Sequence, residues 1–519
     1  MANEFFIVYK AGNRVYSKKG TTGAAVFDAP TYETVLADIW NNQLDPGRSS
    51  KQRVIVVGDY SQASAITVPN FVTLECEGIW TSQGFSGSML SALSATPLQI
   101  EIIGADFDVG LVTNNGMHFD GVDGFIVRRA RLQNANNHGL TFDDCDDFLI
   151  SEVYGWNNGD DVVTCHGSCL NGTIEKVTGG GGRNLTGASA LVEIEGEAAT
   201  GVDNASPSLL TVRGCRGKGG TNGTDEFDVP DGSAGDKGIQ VTIDNQGGAE
   251  FMQHGIVLDD NIMEDFGEHG ILVQAAGAAV APRLIERISV TNNRCNRNGQ
   301  YGIGVLGSKN VTVANNHLAA NVGNGLHAGN SDSCIFAHNH SIGNAQGFEM
   351  ASTCNNLEVT GNILRGNTTR QAKLAGNGVD FLNNTLDGAV GLQTLDLQNG
   401  NIDNVKFYNV TGNSVVMSGT KYDSTRYRNL RYMDGSPSTL NTEFTETVAG
   451  ATGFPTDTGL ANLATLRTNA GNKLVVTPES NPVGLVWDWS VSGSTVTITH
   501  NQAVDFNFII EASTENQAA

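Results

Sequence analysis

An asparagine recurs at nearly constant spacing through the middle of the chain, and this repeat constrains the fold more than any other feature. Successive copies are 23, 23, 23 and 22 residues apart, at Asn293, Asn316, Asn339, Asn362 and Asn384. Each unit, such as VTVANNHLAANVGNGLHAGNSDSC, contains a short β-branched strand, an Asn-containing corner, a polar stretch, a glycine and a second apolar strand. Such a repeat is typical of one coil of a parallel β-solenoid, because each coil buries its apolar face against its neighbours.

The asparagine column has a physical reason in such a coil. A corner residue lies above its copy at the strand spacing of roughly 4.8 Å, where stacked amides can hydrogen-bond to one another. Asparagine also tolerates the left-handed backbone that we expect at this corner. The register extends back to Asn261. Farther upstream the asparagine is replaced but the frame continues, with Phe125, Phe148 and Leu170 at spacings of 23 and 22 residues.

We therefore predict an all-β protein, a single-stranded right-handed parallel β-helix with a small N-terminal element and a C-terminal β domain. The predicted ranges are 1–45 for an N-terminal attachment and capping element with a short helix, 46–435 for the β-helix, and 436–519 for a linker and the C-terminal β domain. The helix is predicted in TYETVLADIWNNQ, where Leu36, Ile39 and Trp40 recur at helical spacing. It would cover the apolar core of the open first coil.

Composition argues against several classes of function. The formal net charge of -24 would repel a phosphate backbone, so no nucleic-acid partner is expected. No stretch approaches the roughly 20 apolar residues of a membrane span, and the first residues do not show a signal-peptide pattern. The eight cysteines form no dense framework and no CxxC zinc pair, so we expect reduced, mostly buried thiols. No metal and no other cofactor is predicted.

Acidic and histidine side chains concentrate upstream of the regular repeat. WNNGDDVVTCHG contains Asp160, Asp161 and His166, and NNHGLTFDDCDD, one coil earlier, contains His138 and Asp143. Glycosidic hydrolysis needs one carboxylic acid to protonate the leaving oxygen and one carboxylate to activate water or to attack. Neighbouring coils place side chains roughly 5 Å apart, so these residues are the candidate catalytic group. As alternatives, Asp-rich corners are solvated turn formers, and FDDCDDF could hold Ca²⁺, although it lacks a regular loop spacing.

Five further residues are predicted to bind substrate: His118, Glu193, Glu195, His327 and Glu349. Glu193 and Glu195 alternate on one face of LVEIEGEAAT, where like charges are unfavourable unless water, a cation or a sugar satisfies them. His327 and Glu349 are 22 residues apart and should be neighbours on successive coils. For this second pair, a hydrogen-bonded surface contact without a ligand is the alternative.

The segment GDYSQASAITVPNFVTLECEG resembles the entry motif of the pectate-lyase-like superfamily, in which a Gly-x-Tyr turn precedes a strand. The acidic cluster is similar to that of the polygalacturonase family of glycoside hydrolases. Asp160 and Asp161 match the paired aspartates of that family, and His166 with Gly167 partly matches its histidine motif. His138 stands where the family has its first aspartate, and no clear Arg-x-Lys follows.

The β-helix, the small N-terminal element and the C-terminal β domain together resemble a viral tail spike. This resemblance implies a homotrimer in the virion tail that binds, and often cleaves, a host surface polysaccharide: lipopolysaccharide, capsule or exopolysaccharide. It also implies attachment to other tail proteins through the N-terminus and synthesis in the host cytoplasm. The alternatives are a non-enzymatic receptor-binding adhesin or structural tail protein on the same fold, and a polysaccharide lyase or epimerase.

Overall fold

The chain forms two compact units, Met1–Ser289 and Val290–Ala519. The computed structural model describes residues 5–45, 50–93, 99–110, 112–180, 189–196, 206–219, 237–243, 252–275, 284–387, 393–397, 400–408, 415–417, 427–428, 430–433, 444–449, 472–478, 487–492, 495–500 and 508–514. Both units contain the right-handed coil of parallel strands, which confirms the predicted fold class. The predicted domain boundaries stay predictions, since residues 46–49 and 434–443 lie outside the described ranges.

Unit 1 begins with three antiparallel strands and the predicted helix. The strands are Phe5–Ala11, Arg14–Lys19 and Ala25–Ala29, and the first of them also pairs in parallel with the first strand of the β-helix. The helix Tyr32–Asp38 is capped by Thr31, whose hydroxyl accepts the Thr34 N–H, and a π-helical turn, Ile39–Gln43, follows it.

The helix packs on the first coil through Tyr32. Its apolar face consists of Tyr32, Val35, Leu36 and Ile39, whereas Trp40 is only partly buried. The Tyr32 hydroxyl donates to the Val57 carbonyl at 2.9 Å, and its ring lies 4.6 Å from that of Tyr60 on the first coil. The helix therefore shields one end of the apolar core, which would otherwise meet water.

Each coil of unit 1 contributes one short strand to each of three parallel sheets, A, B and C. Sheet A comprises Gln52–Val57, Val72–Glu77, Ile100–Ile103, Ile126–Arg128, Leu149–Ser151, Thr173–Glu175, Thr211–Arg213 and Val257–Asp259. Sheet B comprises Tyr60–Gln62, Ile79–Ser82, Asp106–Asp108, Arg131–Gln133, Tyr154–Trp156, Thr178–Gly179, Arg216–Lys218 and Ile262–Glu264. Sheet C comprises Ile66–Thr67, Ser88–Leu93, Asn115–Asp120, Leu140–Asp143, Val163–His166, Ala190–Gly196, Lys237–Ile243 and Ile271–Ala275. A separate pair is formed by Met252–His254 and Leu284–Glu286.

Unit 2 repeats the same coil. Its sheet A comprises Ser289–Thr291, which starts at the boundary, and Thr312–Ala314, Ile335–Ala337, Glu358–Thr360, Val379–Leu382, Gly400–Asp403 and Tyr427–Arg428. Its sheet B comprises Arg294–Asn296, His317–Ala319, His340–Ile342, Ile363–Arg365, Thr385–Asp387, Lys406–Tyr408 and Leu430–Met433. Its sheet C comprises Ile303–Leu306, Asn324–Gly329, Gln346–Met350, Arg370–Leu374, Gln393–Leu397 and Val415–Met417, and a short strand Ser308–Lys309 lies outside these sheets.

The C-terminal region of unit 2 is antiparallel. Its described strands are Phe444–Ala449, Asn472–Pro478, Trp487–Ser492, Thr495–His500 and Phe508–Thr514. Most of the predicted linker, including residues 436–443 and 450–471, lies outside the described ranges.

Inward side chains form columns that run across the coils. In sheet A of unit 1 one column has no exposed area at any position: Ile102, Val127, Ile150, Ile174, Val212 and Leu258. Burial of each such side chain contributes about 1.5–3 kcal/mol relative to exposure. Because side chains alternate along a strand, the residues between these positions point outward, and on sheet C many of them are polar.

The predicted asparagine ladder is present in unit 2. Asn316 donates through Nδ2 to Asn339 Oδ1 at 2.9 Å and to the Val290 carbonyl at 2.9 Å, and the same pattern recurs at Asn339 and Asn362. A second buried ladder, which our sequence analysis missed, has the same spacing of 23 residues: Asn298, Asn321, Asn344 and Asn367.

The left-handed backbone lies one residue before each ladder asparagine, so its expected placement at the ladder residue was wrong. Asn292, Asn315 and Asn383 have φ between 56° and 58°, and they precede Asn293, Asn316 and Asn384. In unit 1 the ladder position holds Ala130, Val153, Val177 and Cys215 before Asn261. The column thus changes from apolar packing to hydrogen bonding without any change in the corner.

All eight cysteines are buried, as expected. Within the described ranges, no helix has the length and hydropathy that crossing a membrane would require.

Candidate functional site

Sheet C of unit 1 carries most of the side chains selected from the sequence. The parallel register aligns its outward residues in columns. One column contains His118, Thr141, Thr164, Glu193 and Gln240. The next column, two residues later on each strand, contains Asp120, Asp143, His166, Glu195 and Thr242.

The turns that precede two of these strands add His138, Asp160 and Asp161. We refer to the resulting group as the acid–histidine cluster: His118, His138, Asp143, Asp160, Asp161, Thr164, His166, Glu193 and Glu195. It contains eight of the ten predicted site residues, whereas His327 and Glu349 belong to unit 2. Thr164 was not predicted, since a threonine between two apolar residues of a strand gives no sequence signal.

Asp143 lies between two histidines of the cluster. Its Oδ2 is 2.7 Å from His118 Nε2, and its Oδ1 is 3.1 Å from His166 Nδ1. An ionised carboxylate can only accept, so both ring nitrogens donate to it. The other nitrogen of His166, Nε2, lies 3.3 Å from Glu195 Oε2. One carboxylate therefore orients two imidazole rings, and His166 connects it to a second acid.

The pKa of Asp143 lies well below its ordinary value. Burial would raise the pKa, but the hydrogen bonds from His118 and His166 together outweigh this effect. The two histidine contacts therefore favour the ionised form of Asp143, in which it can accept a proton or stabilise positive charge on a substrate.

Asp161 is completely buried. Its Oδ1 accepts the Ala190 N–H at 2.6 Å, and its Oδ2 accepts the Thr164 hydroxyl at 2.8 Å. Because the Thr164 hydroxyl proton points to Asp161, the Thr164 oxygen accepts from His138 Nδ1, which is 3.0 Å away. His138 Nδ1 also lies 3.3 Å from Asp161 Oδ2. Burial acts to raise the pKa of Asp161, but His138 and the hydrogen bond from the Thr164 hydroxyl act to lower it, and the pKa lies below its ordinary value.

Glu193 is in register with Thr164 and points outward from sheet C. Burial raises the pKa of Glu193 well above its ordinary value, and the negative charges of Asp161, Glu195 and Asp160 act in the same direction. The Asp161 and Asp143 networks adjoin, since the rings of His138 and His166 are 6.0 Å apart. Two acids of the cluster thus have pKa values shifted in opposite directions, as is typical of sites that separate acid and base roles.

Two triplets of the described residues present ligand-type atoms within 4.8 Å of one another: His138, Asp160 and Asp161, and His166, Glu193 and Glu195. In the first triplet, both oxygens of Asp161 already accept protein donors, the Ala190 N–H and the Thr164 hydroxyl. The expectation of a metal-free protein stays a prediction.

Asp144, next to Asp143, serves the turn instead of the site. Its Oδ1 accepts the Ser168 N–H at 2.7 Å and the Ser168 hydroxyl at 2.9 Å. Gly167 has a φ of +67°, and a Cβ there would lie 2.3 Å from Asp144 Oδ1. The glycine after His166 is therefore explained by this turn, so it does not by itself support the polygalacturonase resemblance.

The other two predicted residues lie on sheet C of unit 2, in a group that we call the Tyr301 patch: Tyr301, Asn324, His327, Glu349 and Lys373. The rings of Tyr301 and His327 stack with centroids 4.4 Å apart, and both are partly exposed. Glu349 accepts from Asn324 Nδ2 at 2.8 Å and from Lys373 Nζ at 3.0 Å, and it lies 3.6 Å from His327 Nδ1. The pKa of Glu349 is well below its ordinary value, chiefly because of His327, and Lys373 and Asn324 act in the same direction.

Comparisons with known proteins agree with the fold. Residues 231–386 match the family model described as a right handed beta helix region. The structure is similar to that of a double mutant of the tailspike protein of E. coli bacteriophage HK620, with a TM-score of 0.51 and 10% identity over 92% of this chain and 88% of that one. A second tailspike mutant of the same phage, in complex with a pentasaccharide, has a TM-score of 0.50 and 11% identity over 95% of this chain and 96% of that one.

A mannuronan C-5 epimerase module of Azotobacter vinelandii is also similar, with a TM-score of 0.37 and 12% identity over 72% of this chain and 89% of that one. No curated protein matches the sequence. The protein is thus a right-handed parallel β-helix, and its likeness to tail spikes is confirmed at the level of the fold.

Proposed function

We propose that this protein is a virion tail spike that binds a host surface polysaccharide and hydrolyses its glycosidic bonds at the acid–histidine cluster. The observation that carries the proposal is the acid–histidine cluster on an outward face of the β-helix, where His118 and His166 hydrogen-bond to Asp143 and keep its pKa below the ordinary value, while burial raises the pKa of Glu193 well above its ordinary value. A proton-bearing carboxyl group and an ionised carboxylate are the two groups that glycosidic hydrolysis requires.

The chemistry needs one proton donor and one carboxylate. A protonated carboxyl group of the cluster gives its proton to the glycosidic oxygen as the bond to the anomeric carbon breaks, and the departing sugar leaves as an alcohol. Asp143 takes a proton from water as the water oxygen bonds to the anomeric carbon, and it releases that proton to solvent, from which the acid is protonated again. Asp160, His138, His166 and Glu195 lie around these groups, and we assign them to substrate contact and orientation.

The comparisons support the biological setting of the proposal. The HK620 tailspike shares the fold along most of its length, and one of its mutants was captured with a pentasaccharide. For the present chain, a lipopolysaccharide, capsule or exopolysaccharide ligand, a homotrimer, synthesis in the host cytoplasm and attachment to other tail proteins through the N-terminus are parts of the same proposal.

A panel of purified bacterial lipopolysaccharides and capsules tests this function. We expect the protein to shorten at least one of them and to release reducing ends in step with chain cleavage, with or without EDTA. Products that absorb in the ultraviolet would indicate the eliminating reaction of a lyase. Binding without shortening would instead identify an adhesin.

The Tyr301 patch favours a second candidate function, binding without cleavage. Asn324 Nδ2 and Lys373 Nζ donate to Glu349 and favour its ionised form, in which it cannot protonate a leaving group. The stacked Tyr301 and His327 rings offer an apolar face to a sugar ring. In this second function, His327 and Glu349 bind polysaccharide at a site where no glycosidic bond is cleaved.

We predict that Tyr301→Ala weakens polysaccharide binding about tenfold, the upper end of what an aromatic contact contributes. Affinity would be measured by calorimetry with the polysaccharide selected from the panel. Tyr154→Ala is the matched control, because Tyr154 is partly exposed on sheet B and contacts Arg131. Equal affinities of wild type and Tyr301→Ala would show that the patch is not a binding site.

A further inference from the structure

We propose that His138 accepts a hydrogen bond from a polysaccharide hydroxyl group through Nε2, and that Thr164 and Asp161 are positioning residues that fix its ring. The inference rests on the proposed function, because it assigns one polar contact between the acid–histidine cluster and the sugar. Our sequence analysis placed Asp161 among the catalytic residues. The burial and the hydrogen bonds of Asp161 favour a role behind His138 instead.

The first step concerns the hydroxyl group of Thr164. Its oxygen lies 2.8 Å from Asp161 Oδ2 and 3.0 Å from His138 Nδ1. A hydroxyl group has one proton to donate and two lone pairs that accept. Asp161 also accepts the Ala190 N–H at Oδ1, and an ionised carboxylate can only accept. The Thr164 proton therefore goes to Asp161, and the Thr164 oxygen is an acceptor toward His138.

The second step decides which ring nitrogen of His138 carries the proton. Nδ1 faces two oxygens, that of Thr164 at 3.0 Å and Asp161 Oδ2 at 3.3 Å. Both oxygens are acceptors in this arrangement, so an unprotonated Nδ1 would turn its lone pair toward theirs. A proton on Nδ1 replaces this repulsion with hydrogen bonds. Because a neutral imidazole has one donor and one acceptor nitrogen, Nε2 is the acceptor.

The third step concerns access to a sugar. Thr164 and Asp161 have no exposed area, so neither can touch a ligand. The side chain of His138 keeps an exposed fraction of 11%. Because Nδ1 is turned toward the two buried groups, Nε2 is on the other side of the ring. Within the described part of the chain, the polar contacts of this ring are made by Nδ1, so Nε2 is available to a ligand.

The surroundings of His138 favour a hydroxyl group as that ligand. His138 lies beside the carboxyl groups of Asp160 and Asp161, and its ring is 6.0 Å from that of His166, which bonds to Asp143. Carboxylates and an unprotonated ring nitrogen are all acceptors. A ligand that binds among them must supply donors, and hydroxyl groups are the donors that every polysaccharide has.

Nitrogen-15 NMR of the full chain with labelled histidine can locate the ring proton without any substrate. The spectrum of His138→Gln identifies the His138 signals by their loss. We expect the wild type to carry the proton on Nδ1 at mildly alkaline pH. In Asp161→Asn, the amide oxygen keeps the Ala190 N–H, and the NH₂ group replaces Oδ2 and donates to Thr164. The Thr164 hydroxyl then donates to Nδ1, so the ring proton should move to Nε2.

Asp143→Asn is the matched control for this measurement. Asp143 bonds to His118 and His166, whereas His138 bonds to Thr164. The control should move the signals of the first two rings and leave the His138 proton on Nδ1. A wild-type His138 with its proton on Nε2, or with protons on both nitrogens, would overturn the inference. If the proton stayed on Nδ1 in Asp161→Asn, Asp161 would not be a positioning residue.

Kinetics then test the contact with the sugar. With a cleaved polysaccharide from the panel, His138→Ala is expected to lower kcat/KM about 10- to 100-fold, the cost of a lost hydrogen bond that leaves its partner unsatisfied. Asp161→Asn should cause a similar loss alone, but no more than about a twofold further loss in His138→Ala, because a positioning residue acts through the ring that it holds. Equal losses in both backgrounds would indicate a purely structural role of Asp161 and contradict the assignment.

The two proposals fail in different ways. If the ring proton behaves as expected but no polysaccharide is bound or cleaved, the proposed function and the sugar contact are overturned, and the positioning of His138 stands. If a polysaccharide is cleaved and His138→Ala retains wild-type activity, the hydrolysis stands and His138 does not bind the sugar.

Discussion

Asp143→Asn is expected to reduce polysaccharide cleavage about 10²- to 10⁴-fold, the range typical of a lost general base. The asparagine oxygen can still accept from one histidine, but its NH₂ group faces the donor nitrogen of the other. The variant therefore loses the charge of the base and the orientation of either His118 or His166. Initial rates of reducing-end release would measure the effect.

Asp144→Asn is the matched control for this prediction. Asp144 is adjacent in sequence, and the single oxygen that accepts from Ser168 is retained in asparagine. We expect its activity to stay within about twofold of wild type, since small changes are usual away from the reacting groups. Similar losses in both variants would mean that the turn, and not Asp143, controls the rate.

Asp143 also makes stability depend on pH. Its pKa is depressed in the folded protein, so its contribution is present above the unfolded value of about 3.9 and is lost as the pH falls from there toward the folded pKa. Wild type should therefore lose stability on acidification more steeply than Asp143→Asn. Urea midpoints at neutral pH and near pH 3 would show whether the two curves converge.

Asn339→Ala should lower the free energy of unfolding by about 3–5 kcal/mol. Asn339 donates to Asn362 Oδ1 and the Val313 carbonyl, and its own oxygen accepts from the backbone and the side chain of Asn316. Alanine removes all four bonds and leaves donors and acceptors buried without partners, which costs more than the bonds themselves contribute. Guanidinium denaturation followed by circular dichroism would measure the change.

Asn315→Gly is the control variant that distinguishes the hydrogen bonds of the ladder from the backbone conformation of the corner. Asn315 is exposed and has a φ of 58°, a conformation that glycine adopts readily. We expect a change within about 1 kcal/mol. If Asn339→Ala lowers the free energy of unfolding no more than Asn315→Gly does, the ladder contributes little and backbone conformation dominates.

Much of the fold followed from the spacing of one residue type. A coil cannot bury its apolar face alone, so a repeat of 22 to 24 residues with two apolar strands requires stacking. The repeat also indicated where the scaffold is regular. The acid–histidine cluster does lie upstream of the asparagine ladder, but the ladder is at the corner after sheet A and the cluster is on sheet C. The replacement of asparagine at the upstream ladder positions therefore does not explain where the cluster lies.

Local motifs predicted which residues of the cluster lie close together, and the assignment of these residues to a functional site stays a prediction. His138, Asp143 and His166 lie in coils of constant length. Asp143 and His166 are 23 residues apart, so this spacing predicts that they are neighbours on successive strands. Glu193 pairs with Thr164, 29 residues earlier, because the chain between these strands is longer. No constant repeat could align these two residues, and the register became visible only in the folded coil.

By itself, the sequence determined the coil, its apolar columns and the residue types from which a glycosidic site could be built, because these depend on the period and on local composition. Only the tertiary structure decided which acids meet and which of them is buried. Asp160 and Asp161 are equivalent as a sequence motif, yet Asp161 is enclosed by donors from three other residues, Ala190, Thr164 and His138. Protonation depends on such contacts between coils, and their register is set by loops whose length the repeat does not specify.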